Sequence, residues 1–251
     1  MVTYMGSKLK YKNEIVPILQ SIIDKNNVTS YWEPFVGGAN IIDAIKCNTR
    51  FGADKNTILI ALFQQGQKDF SKIPTSCTRE EFNEAREIYK KRILDSDIPL
   101  YVQGAYAFFH SFAAKGFCGS YAEAGRNRDV YDERYRRFKS QIPNLKDVVF
   151  ICSEYKDLDI KDKSLVYCDP PYENTTQYGY AWEKGFNHKE YWDWVRKLSQ
   201  RCYVVCSEQQ FPDDFEVIWE KQTFRTVNTN NQKAIEKMGI YKDGILKRSD
   251  L

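Results

Sequence analysis

Ser164-Leu165-Val166-Tyr167-Cys168-Asp169-Pro170-Pro171-Tyr172 is the stretch that decides how the chain is read. The apolar run Ser164 to Tyr167 follows the charged Lys161-Asp162-Lys163 and reads as a buried strand that stops abruptly. Pro170 and Pro171 have no N–H and a fixed φ, so neither continues a ladder. An acid, two rigid residues and an aromatic ring therefore stand just past a strand's C-terminal end. In open α/β sheets that is where ligands bind.

This arrangement suits methylation of an exocyclic amino group on a nucleobase. Such a nitrogen is a poor nucleophile, because its lone pair is delocalised into the ring. Asp169 can accept one N–H and the carbonyl of Pro170 the other, which stabilises the positive charge that builds at nitrogen during attack. Tyr172 can stack on the base, a contact worth about 1–3 kcal/mol. The plain alternative is a strand-end turn with a solvated Asp.

The chain has 251 residues, enough for one domain with an insertion or two small ones. No apolar run reaches membrane-spanning length and the N-terminus lacks a signal-peptide pattern. The seven Cys form no C-x-x-C pair, and with two His a Cys/His zinc site is not expected; no metal is. Cys202 and Cys206 point to one face of an apparent strand and read as core. Reduced thiols and a cytoplasmic location follow. The net charge of +3 is too mild to name a partner, but its distribution is informative.

Upstream, Tyr4-Met5-Gly6-Ser7-Lys8 leads into an amphipathic pattern, Leu9, Ile15, Val16, Leu19, Ile22 and Ile23, with Ser7 as N-cap. A Gly-Ser turn beside Lys8 suits a carboxylate, although taken alone an ordinary helix start is the better reading. A strand Ser30 to Trp32 then enters Glu33-Pro34-Phe35-Val36-Gly37-Gly38-Ala39-Asn40, followed by an apolar helix Ile41 to Ile45. Strand, glycine turn and helix let backbone approach a cofactor in a doubly wound sheet, although the turn is not the G-x-G-x-x-G of dinucleotide enzymes. A second strand, Arg50 to Ala53, ends at Asp54, placed either to hold ribose hydroxyls or to cap the helix Asn56 to Gln64.

Residues 68–145 change character. Thr78-Arg79-Glu80-Glu81 is a capping box opening a helix to about Leu94. An aromatic-rich helix from Pro99 to Lys115 follows, with Tyr101, Tyr106, Phe108, Phe109 and Phe112 mostly as core. Ala124-Gly125 can turn a hairpin carrying Tyr121, Arg126 and Arg128. Residues 115–139 hold seven Lys/Arg against four Asp/Glu, a surplus equal to that of the whole chain. Arg134, Arg136 and Arg137 on a helix suit phosphates, against the alternative of a solvated charged face. Sheet pattern resumes at Val148 to Cys152, then Ser153-Glu154-Tyr155. After Tyr172 come a polar loop Glu173 to Phe186, a helix Lys189 to Leu198, and strands Cys202–Ser207, Phe215–Glu220, Phe224–Val227 and Ile235–Tyr241.

Taken in order, these stretches resemble the Dam-type (D12 class) adenine-N6 DNA methyltransferases of the phage and prophage branch. The likeness runs through Tyr-Met-Gly-Ser-Lys, Glu-Pro-Phe-Val-Gly-Gly-Ala-Asn, Gly-Ala-Asp-Lys-Asn, the insertion, Tyr-Cys-Asp-Pro-Pro-Tyr, Ser207-Glu208 and Glu236-Lys237. The resemblance implies an α/β, Rossmann-like S-adenosylmethionine-dependent sheet (1–67 and 146–251) with a helical and hairpin DNA-recognition insertion (68–145). It implies Asp169, Pro170 and Tyr172 as catalytic, and contacts to S-adenosyl-L-methionine from Tyr4, Gly6, Lys8, Glu33, Phe35, Gly37, Gly38, Asn40, Asp54, Tyr155 and Asp169. Tyr121, Arg126, Arg128, Arg136 and Arg137 are the expected contacts to double-stranded DNA. Two positions depart from the family pattern. Glu154 precedes Tyr155 where the family has Asp, and Ala39 stands where many members carry Gly, which Ala can replace if φ stays negative. The rivals are an N4-cytosine methyltransferase, which usually has Ser in place of Asp169, and a catalytically silent DNA-binding relative. A monomer is expected, with a restriction endonuclease as a genetic rather than physical partner.

Overall fold

Strands β1 (Ser30–Glu33), β2 (Thr49–Asp54), β3 (Val148–Cys152), β4 (Leu165–Cys168), β5 (Tyr203–Glu208), β6 (Phe215–Val227) and β7 (Asn230–Tyr241) form one sheet in the order β3-β2-β1-β4-β5-β7-β6. The first five pair in parallel, and β7 runs antiparallel to both β5 and β6. The computed structural model describes residues 4, 6–93, 95–112, 115–122, 129–173, 185–227 and 230–251. The parallel strands follow the doubly wound order, so winding reverses between β1 and β4 and a crevice opens beyond their C-terminal ends. Glu33 ends β1, Asp54 ends β2 and Asp169 follows β4. All three acids therefore reach the same rim of the sheet.

β4 is buried at all four residues, which is why it reads as an unbroken apolar run. Alternate residues face two different cores. Tyr31, Leu165 and Tyr167 join a cluster with Ile15, Ile58, Phe63, Phe82, Phe109 and Phe138. Trp32, Val166, Cys168 and Cys206 join Tyr191, Trp192 and Val195 on the other side. Cys202 is buried in that second core too, as its pattern suggested.

Helix α1 (Lys12–Lys25) buries Ile15, Leu19, Ile22 and Ile23. Leu9 does not share that face. It lies in a preceding turn of 3-10 helix, Lys8–Tyr11, where it is 42 % exposed, and Ser7 caps this turn by accepting from Leu9 N at 3.2 Å. The helix expected at Ile41 to Ile45 is replaced by two tight turns, Ala44 N to Ile41 O and Ile45 N to Ile42 O. Side chains from elsewhere satisfy the nearby backbone: Arg50 Nη1 donates to Ile42 O at 2.8 Å, and Gln20 bonds both the N–H and the carbonyl of Lys46. The three isoleucines stay buried without a helix.

Helix α2 (Thr57–Lys68) is capped by Asn56, which accepts from Leu59 N at 3.2 Å. Helix α3 (Arg79–Lys91) opens with the expected capping box of Thr78 and Glu81. Helix α4 (Leu100–His110) crosses α2 closely at Gly104, where a Cβ would come within 2.2 Å of Ile58 O. α4 stops at His110 rather than Lys115, because the chain there turns into a ladder: Ser111 bridges Tyr121, Phe112 N donates to Ser120 O and Ala122 N to His110 O. Phe112 is consequently 64 % exposed, whereas Tyr106, Phe108 and Phe109 are core.

Helix α5 (Val130–Leu145) sends Arg134 back to the end of α4, with Nη1 donating to Ser111 O at 2.7 Å and reaching Phe108 O and Phe109 O. Arg134, expected at phosphates, instead satisfies carbonyls that the helix end leaves open. Helix α6 (His188–Ser199) covers the second core. β6 is one strand from Phe215 to Val227 rather than two, with a bulge between Val217 and Trp219. The hairpin at Ala124-Gly125, with Arg126 and Arg128, and most of the loop after Glu173 lie outside the described residues. No described helix is long and apolar enough to cross a membrane.

Candidate active site

The rim beyond β4 is built around Asp169. Lys8 Nζ lies 2.6 Å from Asp169 Oδ1 and 3.7 Å from Glu236 Oε1, and its side chain is only 5 % exposed. The same ammonium donates to Gly6 O at 3.2 Å and sits 4.6 Å from the centroid of the Tyr172 ring. The Tyr172 hydroxyl donates to the Glu236 carboxylate. The N-terminal turn is thus drawn onto the end of β4, with Lys8 among Asp169, Tyr172 and Glu236. Gly6 makes that turn with φ +79°, a conformation glycine adopts without strain. Pro170 is buried and Pro171 is exposed.

Buried acids dominate the electrostatics. Desolvation raises the Asp169 pKa, with Lys8 acting against it and Glu236 with it. Burial pushes Glu208 up to about 7 despite hydrogen bonds from Gln209 N and Glu173 N; Asp169 and Glu236 add to the rise. Burial likewise pushes Glu33 up to about 8, opposed by the Tyr31 hydroxyl bonded to it at 2.8 Å and reinforced by Asp169 and Asp43. Burial pushes the Cys168 thiol well up, which favours the neutral thiol.

The loop after β1 meets the end of β2. Asp54 accepts from Gly37 N at 3.2 Å through one oxygen and from Asn56 N at 3.0 Å through the other. Desolvation raises its pKa, and those two N–H groups oppose the rise. The α2 cap falls to Asn56, which leaves Asp54 as a half-buried acid at the rim of the sheet. Gly37 has φ +46°, and a Cβ there would stand 3.0 Å from the Tyr4 ring, so Tyr4 and the glycine turn touch. Asn40 Nδ2 donates to Ser7 Oγ at 2.8 Å, tying the loop to the N-terminal turn. Ala39 has φ +54° and is fully buried, so the condition that its φ stay negative is not met. Phe35 packs on Tyr155 with ring centroids 5.3 Å apart, and Tyr155 is enclosed by Phe186, Tyr191 and Trp194.

The expected DNA contacts separate. Arg136 and Arg137 point outward on α5, paired with Asp132 and Glu133 one turn back. The Tyr121 ring stacks on His110 at 4.0 Å with Arg79 over it, and its hydroxyl donates to Cys77 O.

A family model for D12 class N6 adenine-specific DNA methyltransferases matches residues 4–206. The chain belongs to this family. Similar proteins include the type II methyltransferase M.FokI of Planomicrobium okeanokoites, 26 % identical over 214 residues. The modification methylase StsI of Streptococcus sanguinis is 24 % identical over 206 residues. The matches cover 78 % and 74 % of this chain but only 31 % and 30 % of the relatives, so the chain spans about a third of their length. A solved methyltransferase complexed with SAH aligns over 74 % of this chain and 57 % of its own at 11 % identity, with a TM-score of 0.22 that is too low to bear on the fold.

In this D12-class chain, Glu208 and Glu236 stand in stretches that carry the resemblance but are given no role by it, and Gln141 is not singled out by the sequence at all. Glu236 lies beyond the matched span, yet it is in phase with the buried Met238 and Ile240, and an acid at an inward strand position is a detectable signal. Glu208 ends β5 with 2 % exposure. Gln141 shares a helical face with Arg134, Phe138 and Leu145 and is 1 % exposed.

Proposed function

We propose that this protein transfers a methyl group from S-adenosyl-L-methionine to N6 of adenine in double-stranded DNA. The observation that carries this reading is Asp169 at the switch point of the sheet, held by Lys8 within a rim of buried acids. The donor supplies an electrophilic methyl on a positively charged sulfur. The residues fit such a donor: Gly37 brings backbone against Tyr4, and half-buried Asp54 stands at the rim where ribose hydroxyls can reach it.

In this reading Asp169 and the Pro170 carbonyl each accept an N–H of the amino group and stabilise the charge that builds on nitrogen. The Tyr172 ring stacks on the base, with its hydroxyl anchored by Glu236. An amino group inside a stacked pair cannot meet these groups, so the base is extruded first. Residues 68–145 read the target, with Arg126 and Arg128 at base edges and Arg136 and Arg137 at phosphates. The protein works as a cytoplasmic monomer, with any restriction endonuclease a genetic partner only.

The test is to incubate the protein with duplex DNA and labelled S-adenosyl-L-methionine, then hydrolyse the DNA and separate the nucleosides. N6-methyladenine is expected. N4-methylcytosine would assign the cytosine reading, and donor-dependent labelling of neither would overturn both.

A further inference from the structure

We propose that Gln141 is a positioning residue that clamps the loop between β1 and β2 from within the insertion, coupling DNA engagement to donor binding. The proposal rests on reading that loop as the donor site. Gln141 Nε2 donates to Gly38 O at 3.1 Å, to Ala39 O at 3.0 Å and to Asp43 Oδ2 at 3.3 Å. The loop lies about a hundred residues away in sequence, so nothing local accounts for the contact. Asp43 is itself held by Lys12 of α1, and α1 and α5 therefore meet on one carboxylate.

The clamp falls where the backbone is strained. Ala39 has φ +54°, a region in which its Cβ crowds the following carbonyl. A non-glycine residue stays there only when its surroundings over-determine it. Gln141 bonds the carbonyl of Ala39 itself and that of Gly38 before it, and Gly37 N on the other side is held by Asp54. The loop is thus fixed from β2 at one end and from α5 at the other.

The same helix reaches the insertion's outer part. Arg134, two turns before Gln141, bonds Ser111 O at the bridge to Tyr121, while Arg136 and Arg137 face outward. α5 thus joins the outer part of the insertion to Gly38 and Ala39 directly, without passing through the sheet.

Donor affinity is measured by calorimetry for wild type, Q141M, A39G and Q141M/A39G, each with and without mixed-sequence duplex DNA, alongside thermal melts. Q141M keeps length and burial but cannot donate. It should weaken donor binding about tenfold, the worth of one buried hydrogen bond. Its KM for donor should rise with kcat at saturating donor nearly unchanged. In the double variant the donor affinity should return to within about threefold of A39G alone, because glycine holds the left-handed turn without a clamp. DNA should change donor affinity in wild type and not in Q141M; no change in wild type would overturn the coupling. Wild-type binding with an unchanged Q141M would overturn the clamp, as would a loss that A39G fails to rescue. If Q141M does not fold, A39G decides: donor binding at least as tight as wild type supports the clamp, and weaker binding overturns it. A wild type that binds no donor would overturn the proposed function together with this inference.

Discussion

Lys8 Nζ and Asp169 Oδ1 lie 2.6 Å apart, although 160 residues separate them in the chain. The pair closes the N-terminal turn over the end of β4, and Glu236 on β7 completes it from the antiparallel side of the sheet. A charge-assisted bond this buried keeps Asp169 available as an acceptor in a site whose burial works against its ionisation.

Replacing Asp169 by Ala should abolish methyl transfer while most donor affinity survives. A single charge-stabilising group in a preorganised site is worth roughly 10²–10³ in rate. Single-turnover methylation within tenfold of wild type would remove Asp169 from the chemistry.

Lys8→Met should move the acidic limb of kcat/KM to higher pH. Lys8 lowers the Asp169 pKa against desolvation, so without it the carboxylate is ionised only at higher pH. If Lys8 serves only to hold the donor's carboxylate, KM for donor rises and the pH profile keeps its position.

Asp54→Ala should weaken S-adenosyl-L-methionine binding far more than DNA binding. A carboxylate bonded to ribose hydroxyls contributes on the order of 1.5–3 kcal/mol. Gly37 N also loses its acceptor in this variant. Unchanged donor affinity by calorimetry, with the fold intact, would leave Asp54 as support for the loop alone.

Stability should depend on pH through Glu33. Its folded pKa of about 8 stands above the ordinary 4.5, so the native state keeps a proton that the unfolded chain releases. The stability this contributes is fully present below about pH 4.5 and is lost as pH rises through 8. Glu208, at about 7, acts with the same sign over a narrower window. Glu33→Gln keeps an acceptor for the Tyr31 hydroxyl and has no proton to lose. Urea titrations at pH 5 and pH 8 should therefore show a smaller drop for the variant. A drop equal to that of wild type would mean that Glu33 is already ionised in the fold.

Two arginine pairs should separate by experiment. Ala at Arg136 and Arg137 should weaken binding to every duplex and flatten its salt dependence by about one unit of slope per residue. Ala at Arg126 and Arg128 should instead relax the methylated motif. Retention of affinity, slope and motif in the second double variant would shift target reading elsewhere.

Much of this could be read from local pattern. The continuous apolar run of β4, the proline pair that ends it, the acid closing β2 and the Thr78–Glu81 box each follow from chemistry within a few residues, and each stands where its sequence places it. Ile41 to Ile45 shows where pattern misleads. Apolar spacing reported burial correctly, but Arg50 and Gln20 took up backbone groups that a helix would have needed.

Only the tertiary structure decided partners. Periodicity places Arg134, Gln141 and Glu236 on faces but does not say which distant group each meets. That depends on how α5 crosses α4, how the insertion returns to the loop after β1, and how β7 lies beside β5. The positive φ of Ala39 was unreadable for the same reason. A strained turn persists only when contacts from elsewhere hold it, and those contacts come from Gln141, about a hundred residues further along the chain.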